Sequence, residues 1–374
     1  MAAAGAGLYG YASNNVFPVP PSAVSAWGEA GQQSEPRRFV LSYAILTPNP
    51  HNMQPWKADL ATPGEISISL DEKRMLPATD PFGRQILMGL GGFLELLSMS
   101  AATIGHAAEV TLFPDGLPGE YLDGRRVARV VLRQQDGVSI DPLFQHVLAR
   151  RTDRRAYDVS RKITANDIAA LSAATDGLGI RFGVETGDKV TGIRDIARKA
   201  WFTELTTEAP MMESVHVLRV GTKEIDTHRD GITIDDPMLV LLDKVGLFDR
   251  STMPAADSQA VKAQVAEFDK ITAATPAYLW IVTAGNSRPQ QIAAGSAYLR
   301  ANLAATGLGL SLHPNQQALQ EYPEVAQYHA AIHHLLDAPI QEFTVQMLAR
   351  LGHAIDGEQA VPPAPRKGLP ALLT

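Results

Sequence analysis

The chain of 374 residues has no cysteine, which excludes disulfides, thiolate catalysis and cysteine-ligated metals together. Positive charge is in deficit: 33 Lys and Arg stand against 40 Asp and Glu, for a formal net charge of −7. The broad basic surface that nonspecific nucleic-acid binding requires is therefore missing. No run of roughly eighteen apolar residues stands out, so the sequence reads as lacking a membrane span. The full G-x-G-x-x-G dinucleotide fingerprint is absent, and helix packing and helix termination account for Gly89-Leu-Gly91-Gly92 and Gly307-Leu-Gly309. There is no G-x-S-x-G elbow, and Asp226, Asp230, Asp235 and Asp236 lack EF-hand spacing. His329, His333 and His334 fall on a helical pattern, but Ala330-Ala331-Ile332 between them supplies no glutamate or third ligand for zinc.

What remains is globular: 45% hydrophobic and 20% charged residues, enough for one large core or two ordinary ones. The first dozen residues, Met1 to Ala12, resemble the weakly hydrophobic Gly/Ala-rich middle of a twin-arginine-type export signal without its basic start. On that ground an exported, pre-folded protein is favoured over a cytoplasmic one. Residues 13–36 are rich in Pro, Ser, Ala and Gly and read as a linker or an arm wrapping the domain.

Two stretches carry chemistry. Near the middle, Asp141-Pro142 opens a short helix whose apolar face is Leu143, Phe144, Val147 and Leu148. It runs into Arg150-Arg151-Thr152-Asp153-Arg154-Arg155, where fork-shaped, permanently charged guanidiniums and a hydroxyl suit a phosphate. A solvated basic helix end is the alternative. Far upstream, Leu46-Thr-Pro-Asn-Pro-His-Asn-Met-Gln-Pro-Trp56 is an irregular loop stiffened by three prolines. Asn49, His51, Asn52 and Gln54 fill it with donors and acceptors, and Trp56 closes it, more as a core anchor than as a stacking platform.

Together these stretches resemble the two flavin signatures of the nitroreductase family of FMN oxidoreductases. Arg150-Arg151-Thr152-Asp153-Arg154 is similar to that family's R-R-S-x-R motif, with Thr152 in place of serine, and Pro48 to Trp56 is similar to its P-S-x-x-N-x-Q-P-W loop. Asn49 and Pro50 depart from the small hydroxyl residues found there. The loop precedes the arginines by roughly a hundred residues, the reverse of the order in a single-unit member. Arg350-Leu351-Gly352 and Pro365-Arg366-Lys367 complete the resemblance to a tandem, Acg-like subgroup. The resemblance implies an α+β fold of two fused nitroreductase-like halves, a pseudo-dimer within one chain. Residues 1–34 would be the signal-like or arm segment, 35–140 the first half, and 141–374 the second. An insertion at about 226–269 would lie near the site, and the C-terminal tail would reach the phosphate.

The resemblance further implies FMN held by Asn49, His51, Asn52 and Gln54, by Arg150, Arg151, Thr152 and Arg154, by the backbone at Pro314 and Asn315, and by Arg366 and Lys367. NAD(P)H and a small aromatic acceptor would be its partners. No protein nucleophile, acid or base is required, one chain suffices, and a homodimer stays open. The other reading is an FMN-sequestering protein with a covered flavin and little or no turnover.

Periodicity predicts helices over 35–46, from Asp80-Pro81 to Gly105, over 164–175, 189–205 and 291–305, and strands over 65–70, 109–113, 125–133, 179–184, 278–283 and 310–313. A faint internal echo joins Gln85-Ile86, Gly89, Gly105 and Pro114 to Gln291-Ile292, Gly295, Gly307 and Pro314.

Overall fold

The computed structural model describes residues 19–357 and 360–374, so the signal-like first dozen residues lie outside the described residues. A 3-10 turn at Pro21–Val24 leads to α1 (Ser25–Glu29), α2 (Pro36–Ala44), β1 (Trp56–Asp59), β2 (Glu65–Leu70), α3 (Arg84–Thr103), β3 (His106–Leu112) and β4 (Ala128–Gln134). Next come α4 (Ala165–Ala173), β5 (Arg181–Glu185), α5 (Lys189–Thr206), α6 (Glu208–His216), β6 (Leu218–Val220), α7 (Gly221–His228), β7 (Ile232–Ile234), α8 (Pro237–Lys244) and α9 (Gln259–Ala273). The chain ends with β8 (Ala277–Ala284), α10 (Arg288–Gly307), β9 (Ser311–Pro314), α11 (Ala326–Leu335), β10 (Phe343–Gly352) and α12 (Leu369–Leu372).

The architecture is α+β with two four-stranded antiparallel sheets, ordered β1-β2-β4-β3 and β5-β8-β10-β9. β2 buries Ile66, Ile68 and Leu70 in strict alternation, as a strand with one face on a core must. α3 begins at Arg84, later than Asp80-Pro81, because Gly83 takes a left-handed φ of +70°. Asp80 still organises that start: its carboxyl accepts the N–H groups of Gln85 and Ile86 at 3.0 and 2.9 Å. α3 is long and apolar enough to cross a membrane by length and composition, and here it is a buried core helix. The helix at Asp141 is corrected: it is a 3-10 turn, Pro142–His146, and Leu148 faces solvent at 44% exposure.

α3 and α10, the two longest helices, cross at the seam between the sheets. The approach is backbone on backbone. A Cβ on Gly91 would lie 2.0 Å from the Ile292 carbonyl oxygen, and one on Gly295 would lie 1.9 Å from that of Met88. The Ser296 hydroxyl donates to the Gly91 carbonyl at 3.0 Å. Side chains reinforce the crossing, with Arg300 meeting Glu95 at 2.7 Å and Asp141 at 2.8 Å. Buried Arg84 donates from the first half to the Leu319 and Gln346 carbonyls at 2.5 and 2.8 Å.

One feature was not anticipated. β10, ten residues long, pairs with both β8 and β9 at the heart of the second sheet. The tail after it crosses to the first half, where Thr374 N–H donates to the Ala58 carbonyl at 3.0 Å and Leu369 and Leu372 join the first core. Between the halves' strands, α6, α8, α9 and the parallel pair β6-β7 pack around Met211, Val215 and Phe268.

Gly91→Ala is expected to force the α3–α10 crossing apart and destabilise the protein by about 1–3 kcal/mol in denaturant unfolding. Gly119→Ala, where a Cβ meets nothing within 4 Å, is expected to be near neutral. Equal stability of the two variants would contradict the close-packed seam.

Candidate functional site

The proline loop is held in a rare backbone shape. His51, Asn52 and Gln54 all have positive φ, at 46°, 53° and 49°. That region is costly for residues other than glycine and persists only where surroundings over-determine it. Here the supports are visible. The Asn49 Oδ1 accepts Gln54 N–H at 2.8 Å, and Gln54 Nε2 donates to the Arg229 carbonyl at 2.8 Å. Asn52 Nδ2 donates to the Pro365 carbonyl at 3.1 Å.

A cavity of about 320 Å³ opens beside this loop, within the range of small-molecule sites. Asn49, His51 and Asn52 line it from the first half, and Arg150, Arg151, Thr152, Arg154 and Pro314 line it from the second, with Arg366 from the tail. Nine of the expected site residues therefore meet. Gln54, Asn315 and Lys367 do not line the cavity. Gln54 is spent bracing the loop. The Asn315 N–H donates to the Leu348 carbonyl at 2.8 Å, and proline has none, so Pro314-Asn315 offers no backbone donor. The Lys367 ammonium lies 3.1 Å from the Asp230 carboxyl, which also meets Arg74 at 2.7 Å and Arg219 at 2.9 Å.

The residue that sequence reasoning missed is Trp27. It belongs to the five-residue α1, in the stretch read as a linker or an arm wrapping the domain, and its indole is 7% exposed. Its Nε1 donates to the Ala364 carbonyl at 2.9 Å. The guanidinium carbons of Arg151, Arg366 and Arg150 lie 5.0, 5.6 and 5.7 Å from its ring centroid. A lone tryptophan amid Pro, Ser, Ala and Gly was the available signal.

None of these three guanidiniums has a carboxylate partner among the described residues. Arg366 donates to the Ile45, Leu46 and Thr47 carbonyls at 2.8, 3.2 and 2.9 Å and to Asn52 Oδ1 at 2.6 Å. Arg150 donates to the Leu46 carbonyl at 3.1 Å, and Arg151 to the Val361 carbonyl at 3.1 Å. Burial pushes Arg150 down to about 10, with the neighbouring Arg151 charge adding to it. It pushes Arg366 down to about 9, with Arg150 adding to it. The nearby acid Asp153 is occupied by Arg155 at 2.8 Å. Burial, and then the charge of Arg154, lowers His51 to about 4, so its ring is neutral at neutral pH. Arg150 Nη1, His51 Nδ1 and Thr47 Oγ1 are buried without a hydrogen-bond partner, and all three residues line the cavity. Orphaned donors beside uncompensated cations fit an anionic ligand carrying further hydrogen-bonding groups.

The segment around β7 closes over the loop. Gly231 N–H donates to the Asn52 carbonyl at 3.2 Å, and Gly231, Ile232, Thr233 and Asp235 line the cavity.

No protein-family model matches the chain. A Mycobacterium tuberculosis protein provisionally named NAD(P)H nitroreductase Rv3131 is 27% identical over 343 residues, covering 90% of each chain. Another from that organism, provisionally named NAD(P)H nitroreductase acg, is 34% identical over 122 residues, 32% of this chain and 35% of its own. Among solved structures, the FMN-dependent nitroreductase NfnB of Mycobacterium smegmatis in complex with NADPH aligns with a TM-score of 0.39 at 14% identity, covering 61% of this chain and 94% of that one.

Inorganic phosphate is expected to raise the melting temperature of ligand-free protein, contributing about 1.4 kcal/mol at ten times its dissociation constant. Arg151→Ala is expected to weaken that binding tenfold or more, one charge-assisted hydrogen bond being worth about 1.5–3 kcal/mol. Thermal unfolding insensitive to phosphate would contradict an anion site.

Proposed function

We propose that this chain, a nitroreductase-superfamily protein of the tandem, Acg-like kind, binds one FMN between its halves and acts as an NAD(P)H-dependent oxidoreductase. It would pass two electrons to a nitroaromatic or a quinone. The observation that carries the reading is a cavity lined from both halves, where Asn52 on a strained loop of one half faces arginines of the other.

Arg150, Arg151, Thr152, Arg154 and Arg366 would hold the FMN phosphate, each charge-assisted hydrogen bond contributing about 1.5–3 kcal/mol. Asn49, His51 and Asn52 would meet the ring and ribityl chain. His51, being neutral, offers one ring N–H and one acceptor nitrogen rather than a charge. Lys367 would act one step back, through Asp230, on the position of the loop and its cover. When bound, FMN supplies the two-electron chemistry itself. The chain's task is to orient it, exclude water and present the acceptor.

A second reading, FMN sequestration without turnover, is favoured by the cover. Asp230, buried, meets Arg74, Arg219 and Lys367, while Arg229 and Gly231 bond to the proline loop. A cover pinned this firmly would admit an acceptor rarely. Steady-state NADPH oxidation with menadione as acceptor separates the two, since a rate no greater than that of free FMN supports sequestration.

Purified protein is expected to be yellow or to become so with added FMN, and Asn52→Ala to retain the flavin roughly tenfold less well. Removing Asn52 deletes the 2.6 Å contact with Arg366 and relaxes the loop. A colourless protein that takes up no FMN would contradict the reading.

A further inference from the structure

The arginines and the proline loop leave a second group of lining side chains unexplained. Glu204, on α5, is 5% exposed and lines the same cavity. Gln320 Nε2 donates to its Oε2 at 2.9 Å. The other end of that amide, Gln320 Oε1, is buried in the cavity lining without a hydrogen-bond partner. Gln316 and Gln317 also line the cavity, as does Ser214 of α6. A buried carboxyl held by amides is a group poised to be a neutral acid, because burial disfavours the ion.

Burial pushes Glu204 up to about 7, with Glu213 adding to the shift and hydrogen bonds from Gln320 and Gln317 opposing it. The titratable groups facing it are Glu213 of α6 and Tyr322, and Asp235 beyond β7 lines the same cavity. Glu213 is engaged elsewhere, accepting Ala78 and Thr79 N–H at 2.8 and 2.9 Å. Of the two histidines lining the cavity, His51 is lowered to about 4 and His313 well below its ordinary value, both chiefly by burial.

Resting on the oxidoreductase reading above, we propose that Glu204 is the catalytic acid: as the neutral carboxyl it donates a hydrogen bond to an oxygen of the electron acceptor and then gives up that proton. The subsite so defined takes an uncharged conjugated oxygen acceptor, a quinone carbonyl or a nitro group, rather than an anionic one. For a quinone the balance is two electrons and two protons. A hydride equivalent, originating in the nicotinamide donor, brings both electrons and one proton. The O–H bond of Glu204 breaks to supply the second to the oxygen becoming a phenol. The carboxylate left behind is reprotonated from water before the next turnover. A carboxylate at Glu204 would repel an anionic acceptor and offer no donor to a neutral one, so binding falls as pH rises through the neutral range.

The test uses FMN-loaded protein in its oxidised form with no electron donor, so that a nitroaromatic binds without being consumed. Nitrobenzene is titrated in at pH values from 5.5 to 8.5 and binding is read from the perturbed flavin absorbance. Wild type is expected to hold steady below pH 7 and to weaken towards about tenfold per pH unit above it. Glu204→Gln, which keeps an N–H donor at every pH, is expected to bind tightly with no pH dependence. Glu204→Leu is expected to bind weakly throughout. Flat binding in wild type, or an unchanged pH profile in Glu204→Gln, would overturn the assignment. FMN occupancy, read beforehand from the visible spectrum, separates the two claims. Failure to load FMN sinks both, whereas loading followed by flat nitrobenzene binding sinks only the role of Glu204.

Discussion

Among the described residues three arginines share one indole with no carboxylate to balance them, and most of the site follows from that. Like charges gathered in a poorly solvated site repel one another. Desolvation adds to the penalty. Arg150, Arg151 and Arg366 are held there by backbone carbonyls of Ile45, Leu46, Thr47 and Val361, and by the face of Trp27. Carbonyl dipoles offset a cation partially, whereas a bound dianion would offset it far better. On the proposed reading, such an arrangement would cost stability in the empty protein and would suit an anionic ligand.

That arrangement needs both halves and both ends of the chain. The arginines come from the segment joining the sheets, the carbonyls from the end of α2 onward, Trp27 from the N-terminal arm, and Arg366 from the returning tail. The α3–α10 crossing sets the distance between these parts, which is why Gly91 and Gly295 sit where any side chain would push the helices apart. Strain in the proline loop is sustained by the same convergence, since Asn52 is tied to both Arg366 and Pro365.

The two motifs, the long core helices and the strand β2 were legible in the sequence because each has a strong local cause, whereas the two-half plan was implied only by the resemblance to a tandem family. Prolines stiffen the loop, clustered guanidiniums stand out in an acidic chain, and α3 is apolar nearly all round. β10 was not legible, since Gln346 and Arg350 are buried polar residues in its middle and break the run of a buried strand. Trp27 was hidden by its setting, a five-residue helix whose purpose lies in contacts with residues more than a hundred positions away. Lys367 and Asn315 failed for a related reason. A motif gives a residue's type and order, but tertiary pairing decides whether its donor is already used, as with Lys367 on Asp230 and Asn315 N–H on Leu348.

The cavity thus has two chemical linings, cationic around Trp27 and acid-amide around Glu204, with residues next to the ion-paired Asp230 along its wall. The central claim, that the arginines recognise the phosphate of a flavin whose ring meets the proline loop, is tested most directly by comparing two ligands that differ in that group alone. Equilibrium titration of ligand-free protein is predicted to show FMN binding at least about a hundredfold tighter than riboflavin, two charge-assisted hydrogen bonds being worth about 3 kcal/mol or more. Equal affinity for the two flavins would contradict the account.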